Sequence, residues 1–150
     1  MIRERFGFKF NGWYAFGMNA ISIDLDRLPS CLSKNGRRRS HWRTQQAATE
    51  KLKEDATFLV LKALSEAPSP LNEPFETADI HVHQFWSNTP LDYDGLASAV
   101  APVIDAFTIV GVISDDSPRF INSYTLTANK VAKRSQNLIR VTVRRSESGE

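Results

Sequence analysis

The sequence lacks several features that define common classes of protein. Its 150 residues contain a single cysteine, Cys31, which excludes an internal disulfide framework and favours a reducing compartment such as the cytoplasm. It has no continuous run of about 18 apolar residues and no apolar leader-like segment, so we expect neither a membrane span nor a secretory signal. A glycine-rich phosphate loop and a nucleophilic serine elbow are also absent from the sequence, which argues against those two kinds of enzyme site.

What the sequence does contain is typical of one globular domain. The hydrophobic fraction of 41% and the charged fraction of 24% lie close to globular averages, so neither disorder nor a fibrous structure is predicted. Residues 1–17 are rich in aromatic side chains without a clear period, and they precede a second methionine, Met18. We interpret 1–17 as an N-terminal extension or an upstream-start artefact, 18–145 as the domain, and 146–150 as a flexible tail.

The charge is small in total but unevenly distributed. The formal net charge is +2, yet five of the nine aspartates fall between Asp92 and Asp116. The basic residues form two clusters on either side of that acidic segment: Lys34, Arg37, Arg38, Arg39 and Arg43, then Lys130, Lys133, Arg134, Arg140, Arg144 and Arg145. An acidic centre with basic flanks suits a metal-dependent enzyme that acts on phosphates, although each basic cluster taken alone is equally typical of a solvated surface.

Hydrophobic periodicity predicts a fold of the α+β class, with a small mixed sheet covered by two helices in the order β-α-β-α-β-β. Strands are expected at 21–25, 78–86, 120–127 and 138–145, and helices from Ser40 to the prolines at 68 and 70, and over 96–110. Ser40 is the predicted N-cap of the first helix and Gly111 the C-cap of the second. Pro102 should kink the second helix or mark its first turn, residues 30–39 should form a loop, and 129–137 the tip of a hairpin.

The spacing of the aspartates suggests a metal site. Asp92 and Asp94 are one residue apart, so both carboxylates can point to the same side of an extended or tightly turned backbone. Asp115 and Asp116 follow the second helix, which could return them to the first pair. Two or three aspartates at one point would suit Mg²⁺, which prefers oxygen ligands and retains several waters. Caps of helices and turns are the simpler alternative for the same residues.

Three stretches of this segment, taken in order, resemble the RusA family of Holliday-junction resolvases. They are Asp92-Tyr-Asp94-Gly-Leu, Pro102-Val-Ile-Asp105-Ala-Phe, and Gly111-Val-Ile-Ser-Asp115-Asp116. The family's core pattern is D-x-D-N-L, then a helix with Lys and D-[AG]-L, then G-[VF]-x-x-D-D. Residues 21–30 also resemble its first strand, which ends in Leu-Pro-Ser, while Ser33-Lys-Asn and His41-Trp-Arg resemble segments of phage-type members.

The resemblance implies a homodimer that resolves four-way DNA junctions by paired symmetric nicks, with Mg²⁺ as cofactor and Mn²⁺ as a substitute. Asp92, Asp94 and Asp116 would be catalytic metal ligands, Asp115 would join them, and Asp105 would support the site. For DNA binding we predict the basic clusters together with one histidine: Lys34, Arg37, Arg38, Arg39, His41, Arg43, Lys130, Lys133 and Arg134. His81, His83 and Phe85, which share one face of a strand, are expected at the dimer interface rather than at a transition-metal site.

The sequence departs from the family pattern at two positions. The family's Asn after the second Asp is Gly95 here, and the helix Lys that usually precedes the Pro is Ala101. An orienting amide and a cation that would neutralise the reacting phosphate are therefore missing, unless Lys51, Lys53, Lys130 or Lys133 supplies the charge. The alternative to a nuclease is accordingly a RusA-like protein that binds branched DNA without cutting it.

Overall fold

The computed structural model describes residues 18–147, apart from the side chains of residues 34 and 35. The predicted extension 1–17 and the last three residues of the predicted tail lie outside the described residues. The helices and strands are β1 (Ala20–Leu25), α1 (Lys34–Arg39), α2 (Trp42–Ser65), β2 (Ala78–Trp86), α3 (Tyr93–Val110), β3 (Ile121–Lys130) and β4 (Leu138–Arg145). The α+β class is confirmed, and α1 is a helix that was not predicted.

The four strands form one mixed sheet in the order β1-β4-β2-β3. Because α3 carries the chain from β2 back to the start of β3, these two strands are parallel, whereas β4 pairs antiparallel with both β1 and β2. The prediction that 129–137 forms a hairpin tip is wrong, since β3 and β4 lie on opposite sides of β2. The connection instead passes the end of β2, where the Val131 N–H donates to Trp86 O at 2.7 Å.

The two faces of the sheet differ because side chains alternate along each strand. Ile80 and Val82 of β2 are fully buried with Val141 and Val143 of β4, in one core cluster with the apolar stripes of α2 and α3. The apolar residues of α2 recur at helical spacing, with Leu52, Ala56 and Val60 buried and Leu59, Ala63 and Leu64 packed against the core. The other face carries polar side chains, and no described helix covers it.

Helix α3 is the most apolar helix and lies deepest in the core. It begins at Tyr93 behind Asp92 and ends at Gly111, whose φ of 97° confirms the predicted left-handed C-cap. Pro102 lies buried in the interior of the helix, so the option that it marks the first turn is wrong. By length and composition alone α3 could cross a membrane, with a mean hydropathy of 1.3; half of that window is buried, as in the core helices of soluble proteins, so this is weak support for a span.

The segment predicted as a loop, residues 30–39, is instead a 3₁₀ turn (Ser30–Leu32) followed by α1. Ser33 caps α1 by accepting the Gly36 N–H at 3.1 Å. Ser40 is the C-cap of α1, and the N-cap of α2 is His41, whose Nδ1 accepts the Arg43 N–H at 3.1 Å. The Ser40 prediction is therefore wrong, because two consecutive helices share this junction.

Strand β3 differs from its prediction in one side chain and in length. It extends to Lys130, three residues beyond the predicted end, because it pairs with β2 along the whole strand. Of its apolar residues, Ile121 is buried, but Tyr124 is 44% exposed at the edge of the sheet. A strand with one neighbour buries less of each side chain than a central strand, and the sequence does not reveal which strand is at the edge.

Candidate metal and nucleic-acid site

The loop that precedes α3 is held in place by a buried side chain. Gln84, which is only 4% exposed, accepts the Leu91 N–H at 2.8 Å and donates to Leu91 O at 3.1 Å. Since the amide satisfies both polar groups of one backbone residue, it fixes the chain immediately before Asp92. Gln84 thus positions the start of the acidic segment, a role that the alternating pattern of β2 does not indicate.

Asp92 and Asp94 lie together at the start of α3, and both are exposed. Asp92 is the N-cap, and its Oδ1 accepts the Gly95 N–H at 2.7 Å. Asp94 is the acidic residue of the first turn, where the helix dipole favours negative charge. The capping alternative is therefore correct for one oxygen of Asp92, which leaves the metal-binding role of both carboxylates as a prediction.

Asp115 and Asp116 lie beyond the opposite end of the same helix. Helix α3 has 18 residues, which corresponds to a length of about 27 Å. The segment after it is tied to the start of β2, where the Phe75 N–H donates to Val112 O and the Ala78 N–H to Phe120 O, each at 2.9 Å. Burial and the nearby charge of Asp116 raise the pKa of Tyr124 on β3. The two aspartate pairs of one chain are therefore not brought together.

Within residues 18–147 there is no group of three or more histidine, cysteine, aspartate or glutamate side chains that could hold a metal ion. Asp92 and Asp94 are two carboxylates at neighbouring positions, the N-cap and the first turn of α3. Two carboxylates with several waters are a sufficient protein ligand set for Mg²⁺, which keeps much of its hydration shell. The chemistry of this pair therefore fits Mg²⁺ better than a softer ion.

Helix α1 packs against the first half of α3. The Arg37 Nε donates to Leu32 O at 3.1 Å and to Ser98 Oγ at 3.0 Å, and Ser98 also donates to Leu32 O at 2.8 Å. Ser33 lies close enough to Gly95 that a Cβ added there would be 3.8 Å from the Ser33 Cβ. The Arg37 guanidinium is thus used to join α1 to α3, and it brings the first basic cluster beside Asp92 and Asp94.

The exposed part of the first basic cluster includes an arginine that lies over a tryptophan. Arg38, Arg39 and Arg43 are exposed, and the Arg43 guanidinium lies 5.2 Å from the centre of the Trp42 ring. His41 stacks on the same indole at 5.7 Å, yet Trp42 remains 59% exposed. An exposed aromatic ring among cations is a common feature of surfaces that bind nucleic acid. The His41-Trp42-Arg43 run was a signal for this surface, but the exposure of the ring was not predictable.

The second basic cluster divides between two parts of the sheet. Lys130, Lys133 and Arg134 are exposed at or after the end of β3, and this connection meets the end of β2 that leads to Asp92. The Lys130 ammonium lies 5.5 Å from the Trp86 ring. A cavity of about 180 Å³ opens between these segments, and its lining includes Trp86, Leu91 and Asn137. Arg140 and Arg144 lie instead on the polar face of the sheet.

The supporting residues have partners of their own. Asp105 lies 3.9 Å from the Lys53 ammonium, and Lys51 is paired with Asp55 at 2.9 Å on the exposed side of α2. Ala101 is exposed, so the position of the missing lysine is open to solvent. Lys53 thus lies beside Asp105, and Lys51 beside Asp55.

The residues predicted at the dimer interface lie on the polar face of the sheet. His81 is exposed, and His83 and Phe85 are partly buried, with their rings 4.5 Å apart. Arg140 lies 5.5 Å from the Phe85 ring and forms two bonds to Asp24, at 2.8 and 3.1 Å. This face is accessible in one chain, and its place at a dimer interface stays a prediction.

No protein-family model matches this chain, and the search of curated proteins finds no significant relative. The resemblance to the RusA family therefore rests on the ordered motifs between Asp92 and Asp116 and on the segments near the N-terminus of the domain.

Proposed function

We propose that this protein binds four-way DNA junctions as a cytoplasmic homodimer and cleaves them as a RusA-like, Mg²⁺-dependent endonuclease. The observation that carries the proposal is that Asp92 and Asp94 lie at the end of the domain to which both basic segments are attached. These segments are distant in sequence, yet Arg37 joins one of them to α3 while the Val131–Trp86 bond brings the other to the end of β2. Carboxylates beside cations suit the hydrolysis of a polyanion.

Each group has a defined part in the proposed reaction. Asp92 and Asp94 would hold Mg²⁺, which when bound would neutralise charge on the scissile phosphate and lower the pKa of a water. Arg38, Arg39 and Arg43 would contact the DNA backbone and orient the phosphate, and the second cluster would contact a neighbouring arm. The two-fold symmetry of a homodimer would match the symmetry of a four-way junction and give paired nicks.

The enzyme proposal is tested with a labelled four-way junction and the purified protein in Mg²⁺ or Mn²⁺. We expect symmetric nicks that disappear in Asp94→Asn, while Asp55→Asn, an exposed aspartate on α2, retains the wild-type rate. Absence of nicking at any protein excess would refute the nuclease, and equal loss in both variants would refute the role of Asp94. Light scattering on the same preparation tests the dimer, which a monomeric mass would refute.

The second candidate function is binding of branched DNA without cleavage, and Gly95 and Ala101 favour it. Losing a cation at the reacting phosphate costs several kcal/mol of transition-state stabilisation, which is about 10²-fold or more in rate. Because Ala101 is exposed, Ala101→Lys tests this without disturbing the core. For a weakened enzyme it should raise the nicking rate by about tenfold or more.

The control for that variant is Ala47→Lys on α2, which adds the same charge at another exposed position. Nicking that rises equally in both variants would show a general effect of charge. If neither cuts, and the junction is bound more tightly than a linear duplex at matched salt, the binding module is the correct function. Equal affinity for junction and duplex would refute both.

A further inference from the structure

Two histidines on the polar face of the sheet point to one hydroxyl group. His81 and His83 alternate along β2, so they share a face, and both contact Thr127 of the parallel neighbour β3. The Thr127 Oγ1 lies 2.6 Å from His81 Nε2 and 2.5 Å from His83 Nδ1. One ring nitrogen of each imidazole is therefore directed at the same small region of the surface.

The tautomer of His83 follows from its second nitrogen. His83 Nε2 lies 2.5 Å from Asn129 Oδ1, and the Asn129 amide nitrogen donates to Lys130 O at 3.2 Å, which fixes the orientation of the amide. Because Oδ1 only accepts, Nε2 must carry the proton, and neutral His83 presents an Nδ1 lone pair towards Thr127. An imidazole whose far nitrogen donates to a carbonyl oxygen is the usual arrangement of a metal-ligating histidine.

The separation of the rings suits a shared ion. The centres of the His81 and His83 rings are 5.9 Å apart, at an angle of 68°. Two imidazoles bound to one ion at about 2.0–2.1 Å per bond have ring centres about 5–6 Å apart, so small side-chain rotations would be enough. His81 is exposed, and its proton can move from Nε2 to Nδ1 through solvent.

The formal charges on this face balance. The charged side chains among its described residues are Asp24, Asp79, Arg140 and Arg144, whose formal charges cancel. Arg140 is neutralised by its two bonds to Asp24. Among residues 18–147 the carboxylate nearest in sequence, Asp79, accepts bonds from Ser123 and Asn122. Two imidazoles favour Zn²⁺, Ni²⁺ or Cu²⁺ over Mg²⁺.

We propose that His81 and His83 form a binding site for a divalent transition-metal ion, with Thr127 or water completing the coordination and Asn129 as the positioning residue. The site is separate from the carboxylates of Asp92 and Asp94, and its existence does not depend on nuclease activity. It also differs in ligand type, so the two sites should discriminate between Ni²⁺ and Mg²⁺.

The test is calorimetric titration of the full chain, without a histidine tag, with NiCl₂ at pH 7.5. The sequence contains three histidines, so His41→Ala is a complete control for the other two. We expect one Ni²⁺ per chain, affinity reduced at least tenfold in His81→Ala and in His83→Ala, and affinity within about twofold of wild type in His41→Ala. Asn129→Ala should weaken binding about tenfold by releasing the His83 ring.

Absence of saturable binding at millimolar Ni²⁺, or equal affinity in wild type, His81→Ala and His83→Ala, would overturn the proposal. A second measurement uses the wild-type protein and so does not depend on the folding of any variant. Long-range ¹H–¹⁵N spectra should show the Nε2–H tautomer of His83, and Ni²⁺ should broaden the rings of His81 and His83 before that of His41. Equal broadening of all three would also overturn the proposal.

Discussion

At the scale of single residues, Asp92 combines two roles that substitution can separate. Its Oδ1 caps α3, and the same carboxylate is the first proposed metal ligand. Asparagine is as good an N-cap as aspartate, whereas alanine lacks the acceptor. The two variants therefore distinguish a residue that only stabilises the helix from one that also binds an ion.

We predict that Asp92→Asn changes the free energy of unfolding by less than about 0.5 kcal/mol and abolishes Mg²⁺-dependent nicking, whereas Asp92→Ala costs about 1 kcal/mol and also abolishes nicking. Urea denaturation measures the first effect and the junction assay the second. Wild-type nicking by Asp92→Asn would show that the carboxylate is only a cap.

Individual residues of the candidate site also show which features local spacing in the sequence can predict. The proximity of Asp92 and Asp94 was predictable because their separation in sequence is one residue. Gln84 was not predictable as the anchor of their loop, since its partners are the two backbone groups of Leu91 and sequence does not reveal hydrogen bonds to the backbone. The role of Arg37 was not predictable either. Its charge suggested a contact with DNA, whereas its hydrogen bonds to Leu32 and Ser98 hold α1 against α3.

At the scale of secondary-structure elements, the arginines of α1 have different surroundings and therefore different expected roles. Arg38 and Arg39 are exposed, while Arg37 is held by Leu32 and Ser98. The double variant Arg38→Ala/Arg39→Ala should reduce the slope of log affinity against log salt by about two without changing stability. Arg37→Ala should instead lower the free energy of unfolding by about 1–2 kcal/mol.

Fluorescence anisotropy with a labelled junction at several salt concentrations measures the slope, and chemical denaturation measures the stability. An unchanged slope in the double variant would remove α1 from the interface. Full stability of Arg37→Ala would show that its bonds do not hold α1 in place.

Asp79, at the start of β2, is predicted to make part of the free energy of unfolding depend on pH. Burial raises the pKa of Asp79, but bonds from Ser123 and Asn122 and the charge of Arg144 outweigh it, so the pKa is lowered. The Asp79 Oδ1 accepts the Ser123 hydroxyl at 2.7 Å and the Asn122 amide at 3.1 Å. The charged form is therefore favoured in the folded state.

Since the folded pKa lies below the ordinary value of 3.8, this stabilisation is present above that pH and is lost as the pH falls through the folded pKa. Asp79→Ala should be less stable than wild type at pH 7, and the difference should shrink as the pH is lowered below 3.8. Urea denaturation of both proteins across this range measures it. A difference that is constant with pH would contradict the prediction.

At the scale of the whole molecule, the separation of the two aspartate pairs limits which carboxylates can bind the same metal ion. Helix α3 is about 27 Å long, so Asp92 and Asp94 cannot share an ion with Asp116 of the same chain in this fold. If the protein is the proposed homodimer, an ion with ligands from both groups must take them from two protomers. If no ion is shared between protomers, Asp116 would affect activity only through the stability of the loop that contains it.

We predict that Asp94→Asn and Asp116→Asn homodimers are each inactive, and that mixing them by dissociation and reassociation restores nicking. A mixed dimer would keep one site with all its carboxylates, so random mixing should recover about a quarter of the wild-type sites. Activity in the Asp116→Asn homodimer would show that Asp92 and Asp94 suffice. No recovery after confirmed mixing would refute shared sites.

The elements whose cause is local were predictable from the sequence. The strands 78–86 and 138–145 were predicted with their observed limits, because alternation of side chains is a property of consecutive residues. The stripe of α2 and the Gly111 cap follow from periodicity and from the φ that glycine tolerates. The tertiary structure alone decided the rest: that β4 lies between β1 and β2, that α1 packs on α3, and that the two aspartate pairs lie at opposite ends of α3. Those arrangements depend on contacts between residues far apart in sequence, and such contacts cannot be predicted from local patterns.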